Sequence, residues 1–453
     1  MGPNFSWKLA FLQLKRFRQS PRAVWGFSQK KGALGYLAAE GDELVACGYL
    51  AVGLGYGKER VRSSTMATRA WTICDVARDE YLEHLVVTPG KVGGVARGYR
   101  VNKRRLRGGL RDGVDVVELD NGQIQVVVVP TRGMGIWEIR AGDLRVGWQA
   151  PVQGPVHPRF VPLMEPGGLG WLDGFDELLV RCGLESNGAP EFDDQGRLRY
   201  PLHGRIANIP AHRVELCVDG DAGRLELTGV VDEVRLFFNK LRLTTTYTLQ
   251  VGNRTLSVCD TVTNLSAEPG EFELLYHINF GIPLVDPGAK VVAPVRRLAP
   301  RDAVAAAAME AWDTYPVETP GVKEAVYFMQ LHGGSDSKTE VVLRNAVGSR
   351  AVALRFSVEE LPYFTLWKNP QAAADGYVTG LEPGVNFPNR RCFEKAKGRV
   401  VPLMPGESRT FHLELEVLLG EEQVSKALAR VEGLARRGPA EILPQPLADW
   451  SAV

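Results

Sequence analysis

The stretch VDVVELDNGQIQVVVVPTRGMGIWEIRAGDLRVGWQ, residues 114–149, decides the fold class. It is typical of strand, turn, strand, turn and strand, because runs rich in Val and Ile flank the turn residues Asp120-Asn121-Gly122. In the later segment LRLTTTYTLQV (241–251), alternate residues share one face, as in a strand with one side buried. The sequence therefore predicts many short strands joined by tight turns.

Helical signals are few. An alanine run predicts one short helix over 301–311, and apolar residues at helical spacing predict a C-terminal helix over Glu421–Arg437. No linker rich in Pro or Ser divides Trp71 from Gly420. The pattern therefore favours one all-β sandwich with a few short helices.

The first 65 residues differ from the rest. They contain ten Lys and Arg against four acidic residues and show no sustained alternation. We predict a basic, poorly ordered extension over 1–65, with Met66 as a candidate true start. A basic tail that binds anionic surfaces is the alternative. The sandwich domain is expected over 66–437, followed by a C-terminal tail over 438–453.

Composition limits the partners. The net charge is +1 with 24% charged residues, so no global field attracts nucleic acid or membrane. No apolar run approaches the roughly 18 residues that a membrane span requires. The six cysteines are scattered without a C-x-x-C pair, which favours a reducing compartment. We expect a cytoplasmic protein whose partner is a small molecule; the sequence does not predict an oligomeric state.

The segment Tyr200–Asn208 is the first candidate for a functional site. It contains His203-Gly204, and a glycine there would let the backbone approach a ligand closely. Arg205 and Asn208 would add donors for hydroxyl or carboxylate oxygens. A loop histidine that caps a strand end is the alternative.

The segment Leu274–Gly281 is the second candidate. On a strand, His277 and Asn279 point to the same side, amid apolar neighbours. Such polar groups need partners when they are buried, so a hydrogen-bonded core histidine is the alternative to a catalytic one. Histidine is the usual proton carrier near neutral pH.

The third candidate joins Trp367-Lys368-Asn369 with a turn around Glu382. The glutamate lies between Leu381 and Pro383 and would face a cleft or, alternatively, solvent. Trp367 would offer a flat stacking face for a sugar ring, or belong to the core. Arg132 in PTRGMGIWE is a further cleft candidate.

Six phrases resemble the aldose 1-epimerase (galactose mutarotase) superfamily, and most closely its branch known only as a domain of unknown function. They are LRGGLRDGVDVVELDNG, PTRGMGIWE, ELLVRCGLESNGAP, PLHGRIANIPA, LLYHINFG and TGLEPGVNFPNR. The resemblance runs from Trp71 to Gly420. It implies a galactose-mutarotase-like β-supersandwich that binds a sugar on its concave face.

By motif, the resemblance implies that His203 binds substrate, that His277 is the general acid and that Glu382 is the general base. It also implies that Arg132 and Arg205 bind the sugar in this branch. Opening a pyranose ring requires a proton for the ring oxygen while another leaves the anomeric hydroxyl. A His and a Glu on opposite sides of the ring can do both. No metal or organic cofactor is expected.

The expected function is therefore a carbohydrate-binding isomerase of the aldose 1-epimerase type. Arg and Lys in the candidate segments favour an anionic sugar, such as a uronate or a phosphosugar. Two alternatives remain: a non-catalytic sugar-binding or sensing module, and a lyase or hydrolase that acts on a modified sugar in the same cleft.

Overall fold

The structure, a computed structural model, describes residues 67–452. Strands dominate its regular structure, and the helices are short apart from one near the C-terminus. The predicted all-β class is therefore confirmed. The extension predicted over 1–65 lies outside the described residues.

In chain order the strands of the described part are β1 (Thr68–Asp75), β2 (Glu80–Tyr81), β3 (Leu85–Val87), β4 (Arg100–Arg105), β5 (Asp115–Asp120), β6 (Gln125–Val129), β7 (Gly135–Ala141), β8 (Leu144–Val146), β9 (Leu179–Leu184), β10 (Glu191–Phe192), β11 (Leu198–Tyr200), β12 (Arg213–Asp219), β13 (Arg224–Val234), β14 (Lys240–Gln250), β15 (Thr255–Asn264), β16 (Gly270–Gly281), β17 (Lys290–Val292), β18 (Val295–Pro300), β19 (Ala325–Leu331), β20 (Lys338–Arg344), β21 (Arg350–Ser357), β22 (Tyr363–Asn369), β23 (Val378–Gly384), β24 (Val401–Leu403), β25 (Ser408–Leu419) and β26 (Glu441–Ile442). The α-helices are α1 (Pro89–Val92), α2 (Ala303–Ala307), α3 (Arg391–Ala396) and α4 (Glu421–Ala435), and short 3₁₀ turns lie at Val76–Arg78, Gly109–Arg111, Pro158–Phe160, Gly170–Gly174, Ile206–Asn208, Met309–Ala311 and Ala373–Asp375.

Two large sheets form the sandwich. The first has the order β17-β20-β21-β25-β15-β14-β13-β12-β1-β2. The second has the order β26-β18-β19-β22-β23-β16-β9-β7-β6-β5-β4-β3, with β8 on β7 and β24 on β16. Consecutive strands such as β13 and β14 are antiparallel neighbours, so a short turn suffices to connect them.

Strand β16 shows how the two faces of the second sheet differ. Tyr276, Ile278 and Phe280 are fully buried in the main core, which residues of both sheets form. Leu275 belongs to a separate cluster with aromatic loop residues, and His277 shares its face because side chains alternate along a strand. The face away from the main core is therefore where polar residues of this sheet can gather under a cover of loops.

The helices agree with the sequence. Helix α2 and the 3₁₀ turn after it lie within the predicted 301–311, and α4 covers most of the predicted Glu421–Arg437. Beyond α4, β26 pairs with β18, and Trp450 is buried against Phe387, so this segment packs onto the sandwich. Among the helices of the described chain, none combines the length and apolar character that crossing a membrane requires.

A buried ion pair joins the two sheets. Arg181 of β9 donates to both carboxylate oxygens of Asp260 of β15, and both side chains are fully buried. Removing one partner of such a pair leaves the other charge buried without compensation. We expect Arg181→Met to lower the free energy of unfolding by about 3–5 kcal/mol, measured by urea denaturation.

The control for this prediction is Arg242→Met. Arg242 makes the same two-pronged contact with Asp232, but its side chain is 38% exposed. Its loss should cost only about 0–1 kcal/mol, because water screens the pair. Equal losses in the two variants would contradict a special role for the buried pair.

Candidate active site

The register of β16 and β23 brings His277 and Glu382 together. Ile278 lies across from Leu381, so the next pair along the antiparallel strands is His277 and Glu382. Nε2 of His277 and Oε1 of Glu382 are 3.3 Å apart, and the side chains are 6% and 2% exposed. The two groups stand side by side. The expectation that they lie on opposite sides of a sugar ring is wrong, because no ring fits between them.

Asn279 fixes the orientation of the His277 ring. Its side-chain nitrogen donates to the backbone oxygens of Glu177 at 3.0 Å and of His277 at 3.2 Å. The amide oxygen of Asn279 must therefore accept from Nδ1 of His277, at 2.6 Å. With the proton on Nδ1 in the neutral ring, the lone pair of Nε2 faces Glu382.

Burial disfavours the charged forms of both His277 and Glu382. Desolvation lowers the pKa of His277 well below its ordinary value, with a smaller contribution from His203. Desolvation also raises the pKa of Glu382 well above its ordinary value. If both groups were deprotonated, their lone pairs would repel each other at 3.3 Å. A proton held between the two groups removes this repulsion, and such a proton titrates as a property of the pair.

His203 brings a second imidazole into the same space. Its Nδ1 donates to the backbone oxygen of Asn187 at 2.9 Å, so Nε2 of the neutral ring is the free acceptor. The ring centroids of His203 and His277 are 5.3 Å apart, and burial lowers the pKa of His203 to about 4. The conformation is unusual, with φ of 56° at His203. A Cβ on Gly204 would lie 1.9 Å from the backbone oxygen of Ser186, so this glycine permits close packing of the backbone and not, as expected, of a ligand.

A cavity of about 600 Å³ opens above these groups. Trp148, Trp171, Phe175 and Trp367 form much of its wall. The ring centroid of Phe175 lies 5.2 Å from that of His277 and 4.6 Å from that of Trp171. Flat aromatic faces beside a few convergent polar groups are typical of pockets for small amphipathic molecules.

Glu324 and Arg301 form a polar edge of the cavity. Glu324 accepts a hydrogen bond from Nε1 of Trp367 at 2.7 Å and another from Arg301 at 2.9 Å. Arg301 also donates to Asp302 at 3.0 Å. The single guanidinium of the lining is therefore already neutralised by two carboxylates, and Glu324 fixes the indole of Trp367.

The lining is acidic overall. Arg301 is its only Arg or Lys among the described residues, whereas Glu324, Asp375 and Glu382 supply three carboxyl groups. The expectation that Arg and Lys surround the site is therefore wrong. Within residues 67–452, no group of three or more His, Cys, Asp and Glu side chains is arranged to hold a metal ion.

Three buried polar atoms of the lining residues lack an aligned hydrogen-bond partner within the described chain. They are Oε1 of Glu382, Oγ1 of Thr365 and Nε1 of Trp171. Buried polar groups in folded proteins nearly always find a partner in the protein, in water or in a ligand. These three atoms are therefore the unpartnered buried polar groups of the described residues that line the cavity.

A family model described as "Domain of unknown function (DUF4432)" matches residues 111–417, which is more than half of the chain. The chain belongs to the DUF4432 family. No curated protein sequence matches this DUF4432 chain.

Solved structures resemble this DUF4432 protein. A candidate aldose 1-epimerase from Klebsiella pneumoniae subsp. pneumoniae MGH 78578 is 29% identical with a TM-score of 0.82, over 84% of this chain and 99% of that chain. A galactose mutarotase-like protein from Clostridium acetobutylicum is 16% identical with a TM-score of 0.47, over 68% of this chain and 96% of its own. The Klebsiella structure confirms the predicted resemblance and the galactose-mutarotase-like fold.

Arg132 and Asn208 do not line the cavity of this DUF4432 protein, contrary to the expectation that they contact a sugar. Arg132 is fully buried and donates to Glu177 and to the backbone oxygen of Gly174, each at 2.7 Å. It also donates to the side-chain oxygen of Asn208. These contacts hold the loop that ends at Phe175, so Arg132 supports the aromatic wall from behind.

Three further predicted binding residues point elsewhere. Arg205 lines a separate small hollow. Lys368 donates to three backbone oxygens in segment 311–314, and burial lowers its pKa to about 8. Because side chains alternate along β22, Trp367 faces the cavity while Lys368 faces away from it. Asn279 is fully buried and contacts His277 instead of the cavity.

The sequence reasoning missed most of the aromatic wall. Trp171 and Phe175 lie in GLGWLDGFDE (168–177), a segment that also contains three acidic residues. Two large aromatics in a glycine-rich loop were the available signal. Arg301 and Glu324 had no comparable signal, because nothing local distinguishes them from other surface charges.

Proposed function

We propose that this protein is an isomerase that interconverts the anomers of an aldose by acid–base opening of the sugar ring. The single observation that carries the proposal is the His277–Glu382 pair, 3.3 Å apart and buried at the base of an aromatic-walled cavity. Paired titratable groups with opposed pKa shifts in a pocket are typical of acid–base sites. We also retain the cytoplasm as the proposed location.

The proposed chemistry uses one proton in the pair. Desolvation favours the neutral pair with the proton on Glu382, so the proposed reaction begins when this proton passes to Nε2 of His277. The imidazolium then delivers it to the ring oxygen, the bond between C1 and the ring oxygen breaks, and Glu382 takes the proton of the anomeric hydroxyl. The result is an open-chain aldehyde with the proton now on Glu382. Rotation about the bond between C1 and C2 and the reverse steps give the other anomer. Both oxygens are bonded to C1, so an acid and a base that stand side by side can reach both.

The proposed substrate is a sugar held by stacking and hydroxyl contacts. Trp367 and Phe175 would pack against the apolar face of the ring. Glu324 and His203, which line the cavity, would contact hydroxyl groups. Arg301, the only guanidinium among the described lining residues, is already paired with Glu324 and Asp302, which favours an uncharged sugar over a uronate or phosphosugar.

The test is anomer exchange measured by NMR over a panel of neutral, acidic and phosphorylated sugars. We expect exchange above the spontaneous rate for at least one neutral aldose. Binding without exchange would favour the sugar-sensing module, and new cleavage products would favour a lyase or hydrolase. Neither binding nor exchange for any member of the panel would contradict the proposal.

Trp367→Ala is expected to weaken sugar binding about tenfold, because it removes a stacking face worth roughly 1.4 kcal/mol. Isothermal titration calorimetry with the sugar that exchanges fastest measures this change. Arg205→Met is the control, since Arg205 lines a different hollow and should leave the dissociation constant within about twofold. Equal weakening in the two variants would contradict the assignment of the binding cavity.

A further inference from the structure

Glu273 lies on β16 four residues before His277 and is fully buried without lining the cavity. Its side chain belongs to a closed ring of hydrogen bonds. Oε2 accepts from the backbone N–H of Asn187 at 3.0 Å, and Oε1 accepts from the side-chain nitrogen of Asn386 at 2.9 Å. The side-chain nitrogen of Asn187 donates to Asn386 at 2.7 Å and closes the ring.

Asn187, a member of this hydrogen-bonded ring, also contacts His203. Asn187 is held at its backbone N–H and at its side-chain amide, so its position is fixed at two points. Its backbone oxygen accepts the proton of Nδ1 of His203 at 2.9 Å. A carbonyl oxygen cannot donate, so this contact selects the tautomer that leaves Nε2 unprotonated.

We propose that Glu273 is a positioning residue which, through Asn187, holds His203 as the Nδ1–H tautomer with Nε2 available to the cavity. The proposal rests on the proposed function for its kinetic consequence, but not for the tautomer itself. Glu273 needs only an acceptor oxygen for this task. Its role therefore does not depend on the ionisation of the carboxyl group, whose pKa burial raises to about 8.

The conservative variant follows from this geometry. Glutamine at 273 keeps an oxygen for the N–H of Asn187 but loses the bond from Asn386, whereas leucine keeps neither acceptor. Glu271→Leu is the matched control on the same strand, because Glu271 shares Arg391 with Glu273, whose Oε1 lies 3.9 Å from Nη1 of Arg391, but does not contact Asn187. If Glu273 had only a structural role, the tautomer of His203 would not differ between Glu273→Gln, Glu273→Leu and Glu271→Leu.

The experiment is ¹⁵N NMR of the whole protein with ¹⁵N-labelled histidine, in which His203→Asn identifies the His203 signals among the seven histidines. We expect a single Nδ1–H tautomer for His203 in the wild type, in Glu273→Gln and in Glu271→Leu. Glu273→Leu should show a mixture of tautomers. For the exchanging sugar, it should also lower kcat/KM about ten- to a hundredfold, because a catalytic site depends steeply on orientation.

Several results would overturn the inference: a wild-type His203 protonated at Nε2, an unchanged His203 spectrum in Glu273→Leu, or an equal change in Glu271→Leu. If Glu273→Leu does not fold, Glu273→Met, which also lacks an oxygen acceptor for Asn187, is judged by the same criteria. If the wild type exchanges no sugar, the proposed function fails, while the ¹⁵N spectra still decide the role of Glu273.

Discussion

Glu382→Gln is expected to lower kcat for anomer exchange about a hundred- to ten-thousandfold, while the sugar still binds. Glutamine has nearly the same shape and can donate from its amide nitrogen to Nε2 of His277. It cannot take up the proton of the anomeric hydroxyl. The loss should therefore fall on kcat and not on the dissociation constant. Saturation-transfer NMR for exchange and calorimetry for binding measure the two quantities.

Glu340→Gln is the control for the loss of a buried carboxylate. Glu340 lies on β20 in the other sheet and is 4% exposed, where Arg430 donates to both of its oxygens. Its replacement should reduce stability and leave kcat unchanged. If Glu382→Gln retained the wild-type kcat, the assignment of Glu382 as the base would be lost.

His277→Asn is expected to reduce kcat by a similar factor, about a hundred- to ten-thousandfold, because asparagine cannot carry a proton to the ring oxygen. The double variant with Glu382→Gln sharpens this prediction. Groups that act as one unit have non-additive effects, so the double variant should be no slower than the worse single variant by more than a few fold. Losses that multiply would show that the two residues act independently and would contradict the shared-proton account.

The strands and the strand position of His277 could be predicted because both depend on short local patterns of residues. Alternation in LRLTTTYTLQV predicts a half-buried strand, and β14 (Lys240–Gln250) has the expected alternate burial. The motif around His277 likewise marks a strand on which a histidine and an asparagine share a side. Both features depend on neighbours only one or two residues away.

The arrangement of the site could not be predicted, because it depends on the pairing of strands that are distant in sequence. The neighbourhood of His277 and Glu382 follows from the register of β16 and β23, which no local pattern specifies. The same reason explains Arg132, whose partners Glu177 and Asn208 come from separate segments. An arginine in a predicted cleft motif looks identical whether it contacts a ligand or a buried carboxylate.

Trp367 and Lys368 were predicted to share one site, but side chains alternate along β22, so the two point to opposite faces. Trp367 faces the cavity, whereas the three hydrogen bonds of Lys368 hold segment 311–314. The fold of this DUF4432 protein thus explains why Arg205 and Lys368, both in predicted site segments, add no positive charge to the lining of the cavity. A charged residue in such a segment adds charge to the cavity only if its side chain points to the face that lines it.

A crystal structure with a bound neutral aldose is the most direct test of the claim that the His277–Glu382 pair meets the anomeric centre of a sugar. The account predicts the ring oxygen and the anomeric hydroxyl within about 2.6–3.2 Å of Nε2 of His277 and a carboxyl oxygen of Glu382. The sugar ring should lie against Trp367. A sugar bound in the cavity with C1 turned away from the pair, or bound outside the cavity, would contradict it.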